Sequence, residues 1–354
     1  MKKTLLLLAV ALVAVACNSN RYTIDGIFTV EDETPVWLID LGAQDTLAGT
    51  NVAEGRFRFE GEADVARYVY IGIGNKRIRT LLEPGRLLVD LDERTASGTP
   101  MVDQYVAYQS QYYGYLQQRN EARKALNAKK ESLSPAEFNA AWDSLNRAYV
   151  QQQADLADSL VAAHPSDLMG ALAMEDLGDR DAARFLQRRE ELAEDVRSFY
   201  IVERSYRTIQ ALEQTAPGKP FTDYLIPGGN PDGSDVRLSD YVGRGRYILL
   251  DHWASWCGPC KREIPFLKRA WKQFHGKKFE IVSIAVNDAR ADTEAAISEH
   301  VLPWPQILDA GKIPGEIYGV NAIPQLILFA PDGTILRRDL RGEQILTVLS
   351  EILR

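Results

Sequence analysis

Eight residues constrain this chain more than any others: Trp253-Ala254-Ser255-Trp256-Cys257-Gly258-Pro259-Cys260. Just before them, Tyr247-Ile248-Leu249-Leu250-Asp251 is a short apolar run of the kind that forms a buried strand. A helix is expected after them, from Pro259 to about Phe274. Two cysteines separated by two residues at a strand-to-helix junction make a redox motif. Cys257 precedes the helix, so its sulfur faces unpaired backbone N–H groups and the positive end of the helix dipole. Such a setting lowers a thiol pKa from ~8.5 into the ~3.5–7.5 range. The thiolate is the attacking species, and the first sulfur is expected to be exposed for that purpose. Cys260, one turn on and more buried, can resolve the mixed disulfide that forms. Pro259 at the first helical position needs no N–H and stiffens the turn.

Cysteine and histidine usage agrees with this reading. The chain holds three cysteines and four histidines. A zinc site would require two more Cys or His ligands at motif spacing. His164, His252, His275 and His300 offer no such spacing, so no metal is expected. His252 follows Asp251 on the strand and points to the opposite face, where a core role is expected.

The third cysteine lies at the other end. Met1-Lys2-Lys3-Thr4 leads into an apolar run from Leu5 to Ala16, then Cys17. A basic start and a core of about a dozen apolar residues describe a secretory signal peptide, too short for the ~20 residues that span a bilayer. Ala14-Val15-Ala16-Cys17 resembles a bacterial lipobox, with Ala14 where Leu is usual. That resemblance implies cleavage after residue 16, lipidation of Cys17, and a tether over residues 17–20. Acyl chains would hold the protein at a membrane surface. The formal charge of −8 excludes a basic nucleic-acid binder. The acid excess falls in residues 21–213, and residues 214–354 are neutral.

Residues 21–98 read as a small all-β domain, a sandwich or barrel. Val36–Ile39, Phe57–Phe59, Tyr68–Ile71 and Leu87–Asp90 are candidate strands, with turns at Ala53–Arg56 and Glu83–Arg86. Residues 99–215 read as helical. Ser134-Pro135-Ala136-Glu137 combines a capping box with Pro at the first position, and His164-Pro165 ends that helix. Tyr105, Tyr108, Tyr112 and Tyr115 stripe the preceding helix and read as packing surface with wet hydroxyl tips. A single helix is expected from about Asp179 to Glu213. Ala216–Pro220 reads as a linker. Residues 216–354 alternate strands and helices, an α/β layout with a mixed sheet and helices on both faces. Its elements include a strand at Phe279–Val286, a helix at about Asp292–His300, a hairpin of Gln325–Phe329 with Gly333–Arg337, and a last helix at about Glu343–Leu353.

From residue 220 onward the chain resembles the thioredoxin superfamily, specifically the TlpA/ResA-type membrane-tethered thiol–disulfide oxidoreductases. The resemblance rests on Leu238-Ser239-Asp240-Tyr241, the WASWCGPC stretch, Lys261-Arg262-Glu263-Ile264-Pro265 and Ala322-Ile323-Pro324. The β-rich part resembles a domain of unknown function that precedes thioredoxin modules in bacterial envelope lipoproteins, on Asn51–Gly61, Leu82-Glu83-Pro84-Gly85 and Ser97-Gly98-Thr99-Pro100. The thioredoxin resemblance makes Cys257 and Cys260 a redox-active disulfide. It makes Asp251 a buried carboxylate that accepts the Cys260 proton, and Glu263 an active-site glutamate. It also makes Pro324 a cis-proline whose preceding residue, Ile323, pairs with a substrate strand. Trp256, Gly258 and Pro259 join Ile323 and Pro324 in contacting substrate, with Trp256 shielding the disulfide. Gln325 stands where Thr is usual after the proline.

The function so implied is reduction of disulfides in exported proteins, with apocytochrome c a candidate client, on the periplasmic face of the inner or outer membrane. Electrons would come from a membrane thiol donor, with no organic cofactor. The Gly-Pro dipeptide between the cysteines resembles thioredoxin, at about −270 mV, more than the oxidant DsbA, at about −120 mV. A disulfide oxidase or isomerase, and a peroxidase-like antioxidant protein, stand as alternatives.

Overall fold

The computed structural model describes residues 20–353; the expected signal peptide and the expected lipidation at Cys17 lie outside them. The chain forms two compact units, one ending at Val202 and one beginning at Glu203.

The first unit opens with eight strands among the described residues: β1 (Arg21–Ile27), β2 (Pro35–Asp40), β3 (Asp45–Asn51), β4 (Arg56–Glu62), β5 (Arg67–Ile73), β6 (Lys76–Leu82), β7 (Gly85–Asp90) and β8 (Thr95–Ser97). They make two four-stranded sheets, ordered β4-β1-β7-β8 and β3-β2-β5-β6. Alternate residues are buried along most strands, such as Tyr22 and Ile24 on β1, or Val36 and Leu38 on β2. On β5 the alternation fails, with Tyr68, Val69 and Ile71 all buried. A helix explains it: Tyr105 of α1 (Pro100–Ala128) meets the Tyr68 ring edge-to-face at 6.3 Å.

The capping box works as its sequence indicates. Ser134 Oγ accepts from the Glu137 N–H at 3.3 Å, the Ser134 N–H donates to Glu137 at 2.9 Å, and α2 (Pro135–Ala163) ends at His164. The single helix expected from Asp179 to Glu213 is instead broken. The structure has α3 (Leu168–Arg180), α4 (Ala182–Arg189), α5 (Glu194–Arg197) and α6 (Tyr200–Gln214). Asp181 makes the first break, since its carboxylate accepts from the Arg184 N–H at 3.0 Å and caps a new helix. Arg184 and Arg188 then each reach an acid on α2, Asp155 and Asp158, at 2.7 Å. Tyr105 and Tyr108 are buried and Tyr112 and Tyr115 half-buried, so the tyrosine stripe is packing surface, but its tips are not wet: the Tyr105 hydroxyl meets that of Tyr68 at 3.3 Å and the Tyr108 hydroxyl donates to Asp176 at 2.7 Å.

The second unit starts upstream of the expected linker. Arg338 donates to the Thr215 carbonyl at 3.0 Å, and Leu212 fills the space beside Gly319. The linker itself is knitted into the unit: the Gly218 N–H donates to Ile335 O at 2.7 Å, and the Ile335 N–H to Lys219 O at 2.8 Å. Pro and Gly marked a chain that hydrogen-bonds along a hairpin here, not a free connection.

The remaining elements are β9 (Leu225–Ile226), β10 (Val236–Arg237), β11 (Tyr247–Trp253), α7 (Gly258–Phe274), β12 (Phe279–Ala285), α8 (Arg290–His300), β13 (Gln306–Ile307), α9 (Ile313–Tyr318), β14 (Gln325–Phe329), β15 (Ile335–Arg338) and α10 (Glu343–Ile352). The sheet runs β13-β12-β11-β14-β15. Strands β11, β12 and β13 are parallel, and β14 is antiparallel to both β11 and β15. Two cores flank it. Leu249 and Trp253 of β11 pack with Leu267 of α7, Ala296 of α8 and Leu349 of α10. Ile248 and Leu250 face the other way, toward Tyr318 of α9. Helices therefore cover both faces of a mixed sheet, which is a thioredoxin-like fold. No helix among the described residues is long and apolar enough to cross a membrane.

Candidate active site

Strand β11 ends at Trp253 and α7 begins at Gly258, so the four-residue turn between them places both cysteines at a helix N-terminus. Cys257 is the N-cap residue of α7, and its Sγ accepts from the Cys260 N–H at 3.1 Å. Pro259 occupies the first turn, where its missing N–H costs nothing. Cys257 and Cys260 are joined in a disulfide. Each residue is only 3% exposed, which corrects the expectation of an exposed first sulfur. Both belong to the core cluster that also holds Leu249, Trp253 and Ile264. The space beside Gly258 is open: a Cβ there would meet nothing nearer than the Arg262 guanidinium at 4.0 Å.

The turn is anchored by residues that sequence reading did not single out. Asp288, beyond the end of β12, accepts from the Ser255 N–H at 2.6 Å and from Ser255 Oγ at 2.8 Å. It also accepts from Thr293 Oγ1 at 2.7 Å. Trp256 is 63% exposed, and its indole N–H donates to Asn287 O at 3.1 Å. The ring lies mostly in solvent, with its edge fixed.

Asp251 alternates with His252 on β11, so it shares a strand face with Leu249 and Trp253, the residues that pack around the cysteines. Burial pushes its carboxyl up to about 7. The Ser283 hydroxyl, donating at 2.9 Å, opposes that rise, as does the Arg341 cation, while the Glu263 charge adds to it. Trp304 Nε1 donates to the same Ser283 Oγ at 2.8 Å, fixing the hydroxyl between indole and carboxylate. A polar residue inside the apolar run Phe279-Glu280-Ile281-Val282-Ser283-Ile284 was the available signal for Ser283. His252 turns into the other core, fully buried. Its Nδ1 donates to Gln325 O at 2.9 Å, and burial drives its pKa down to about 4, so it is neutral at pH 7.

Glu263 accepts from the Gly342 N–H at 2.7 Å, tying the first part of α7 to the start of α10. The Ile323–Pro324 peptide is cis, and Ile323 packs against the cluster that holds both cysteines. The Pro324 carbonyl accepts from Arg341, a contact that sequence reading missed. Among the described residues no three His, Cys, Asp or Glu side chains gather as metal ligands.

Residues 217–338 match the model of the AhpC/TSA family. The C-terminal unit is a thioredoxin-like domain of that family. Two curated relatives of the domain illustrate the likeness. The thiol-disulfide oxidoreductase ResA of Bacillus thuringiensis subsp. konkukian is 27% identical over 142 residues, 40% of this chain and 79% of its own. ResA of Bacillus subtilis strain 168 is 26% identical over 125 residues, 35% of this chain and 68% of its own. Among solved structures, a thiol-disulfide oxidoreductase from Bacteroides fragilis is 34% identical over 38% of this chain and all of its own, with a TM-score of 0.35. The thioredoxin-like domain is accordingly an oxidoreductase of the thiol–disulfide class.

Proposed function

We propose that this protein reduces disulfides of exported proteins in a bacterial envelope through the Cys257–Cys260 dithiol. One observation carries the reading: a disulfide at the N-terminus of α7, with a buried carboxyl titrating at about 7 on the strand face that packs against it.

In the reduced protein, the Cys257 thiolate is held at the helix end, where the Cys260 N–H already meets its sulfur. It attacks one sulfur of a client disulfide. The client S–S bond breaks, a Cys257–client disulfide forms, and the client's other sulfur leaves as thiolate. Asp251, ionised, takes the Cys260 proton. The Cys260 thiolate then attacks Cys257 sulfur, closing the Cys257–Cys260 disulfide and releasing the second client thiolate. The client gains two electrons and the protein loses two. A thiol donor at the membrane restores the dithiol by the reverse sequence. Trp256, Gly258, Pro259, Ile323 and Pro324 form the surface around the sulfurs on which the client docks.

Cleavage after residue 16 and lipidation of Cys17 supply the membrane anchor in this reading, and the envelope is the compartment. Apocytochrome c is a fitting client, because haem attachment needs reduced C-x-x-C-H thiols. The test is the Cys260→Ser variant, which lacks the resolving sulfur. It should accumulate mixed disulfides on Cys257 that identify the clients, and the wild type should reduce insulin. Absence of both would end the reductase reading.

A further inference from the structure

Between β15 and α10 the chain turns twice in four residues. Asp339 and Gly342 both adopt left-handed backbone conformations, with φ of 59° and 52°. Leu340, between them, is buried in the core cluster that contains the cysteines. Gly342 supplies the N–H that Glu263 accepts at 2.7 Å. This geometry aims the Arg341 side chain back across the sheet edge. One guanidinium nitrogen donates to Leu340 O at 2.8 Å, and the other donates to the carbonyl of Pro324. A single turn thus grips the first part of α7 through Glu263 and the start of β14 through Pro324.

We propose that Arg341 is a positioning residue of the disulfide exchange, holding the Ile323–Pro324 segment in place as a docking edge for the client. The proposal rests on the reductase reading, since it assigns that segment to client binding. The planar fork is essential to it: one nitrogen is anchored on the chain's own Leu340 carbonyl while the other holds the carbonyl 17 residues away. A lysine offers a point charge without the fork. Arg341 acts in a second way, through charge. Facing Asp251 are the Ser283 hydroxyl from β12, the apolar Leu326 opposite it on β14, Glu263 from α7 and Arg341 from the turn. Glu263 and Arg341 are the charged groups among these and act in opposite directions. The base that deprotonates Cys260 therefore responds to the same side chain that fixes the docking edge.

The two effects separate by substitution. Arg341→Met removes fork and charge; Arg341→Lys removes the fork and keeps the charge. Two reactions of the full chain are followed from pH 5 to 9: insulin reduction, and oxidation of the reduced protein by oxidised glutathione. The glutathione reaction needs no docked polypeptide and reports the thiol chemistry alone, Cys257 attack and the Cys260 proton transfer together. Expected for both variants is a severalfold rise in KM for insulin with kcat at pH 8.5 little changed. For Arg341→Met alone, the acid limb of the glutathione reaction should move upward, making it roughly threefold slower at pH 6, the equivalent of about half a pH unit. Arg341→Lys should keep the wild-type limb. A purely structural role would slow both reactions by one factor at every pH, and that result overturns the proposal. So does a wild-type KM in both variants. If Arg341→Met does not fold, Arg341→Lys alone still decides, because unchanged KM refutes the fork. A wild type inert toward insulin, with no mixed disulfides trapped by Cys260→Ser, would instead overturn the reductase reading, and with it the docking role.

Discussion

The raised carboxyl of Asp251 makes stability depend measurably on pH. It titrates at about 7 in the folded protein against 3.8 for the ordinary group. Each pH unit corresponds to about 1.4 kcal/mol, so ionising Asp251 in the folded state costs about 4 kcal/mol. The sign follows from proton counts. Between pH 3.8 and 7 the folded protein keeps a proton that the unfolded chain has released. Stability from this group is therefore complete below the unfolded value and is lost as pH rises through the folded one. Asp251→Asn removes the charge and nearly preserves the shape. With the disulfide closed, the variant should be more stable than wild type by about 4 kcal/mol at pH 8, shrinking to about 1 kcal/mol at pH 4.5. Urea unfolding followed by tryptophan fluorescence is the assay, since Trp253, Trp256, Trp271 and Trp304 all lie in the C-terminal unit. At a typical urea dependence of about 2 kcal/mol per molar, the midpoint at pH 8 should rise by about 2 M. His252, held neutral at about 4, gives an opposite pH trend, stability falling as pH drops through its own value. That trend is common to both proteins and cancels in the difference. A variant less stable at pH 8, or a difference that does not change with pH, would refute the argument.

Three other substitutions have defined outcomes. Ser283→Ala removes the hydroxyl donated to Asp251, a bond of the charged kind worth about 1.5–3 kcal/mol, so the carboxyl should titrate about 1–2 pH units higher in a carbon-13 titration. It also strands the Trp304 N–H, lowering stability by about 1–3 kcal/mol in urea unfolding. Glu263→Gln deletes the charge that raises Asp251 but keeps an acceptor for the Gly342 N–H, so the acid limb of thiol exchange should move to lower pH with little change in stability. Asp288→Ala breaks three hydrogen bonds that anchor the turn before the cysteines. About 2–4 kcal/mol of stability should disappear, and Trp256 fluorescence anisotropy should fall as its ring loosens.

What the sequence disclosed and what it withheld divide along one physical line. Cys257 at a helix N-cap, the capping box of Ser134 and Glu137, and the apolar run of β11 are each settled by neighbours within a turn or a strand, so local pattern was enough. The helix expected through residues 179–213 failed where a side chain competed with the backbone, since Asp181 can cap as readily as it can sit mid-helix. The Asp251 environment depends on partners far along the chain: Ser283 by way of strand pairing, Arg341 by way of a turn after the last strand. Periodicity carries no information about such meetings. Asp288 did leave a trace, standing at the carboxyl end of a parallel strand, where open α/β sheets gather their functional groups. Burial of Cys257 was illegible for another reason: a residue type suggests reactivity, while its burial comes from the core cluster it shares with Leu249, Trp253 and Ile264, assembled by the fold.

The pairing of Gly218 and Lys219 with Ile335 has a practical outcome for anyone isolating the catalytic module. Cutting the gene at the proline–glycine stretch looks safe on paper. It would shear off the stretch that supplies Leu212 to the hollow beside Gly319 and Thr215 to the Arg338 guanidinium, exposing greasy surface and leaving that cation only its bond to the Tyr318 carbonyl. A fragment meant to survive alone has to begin before Glu203 and carry that stretch with it.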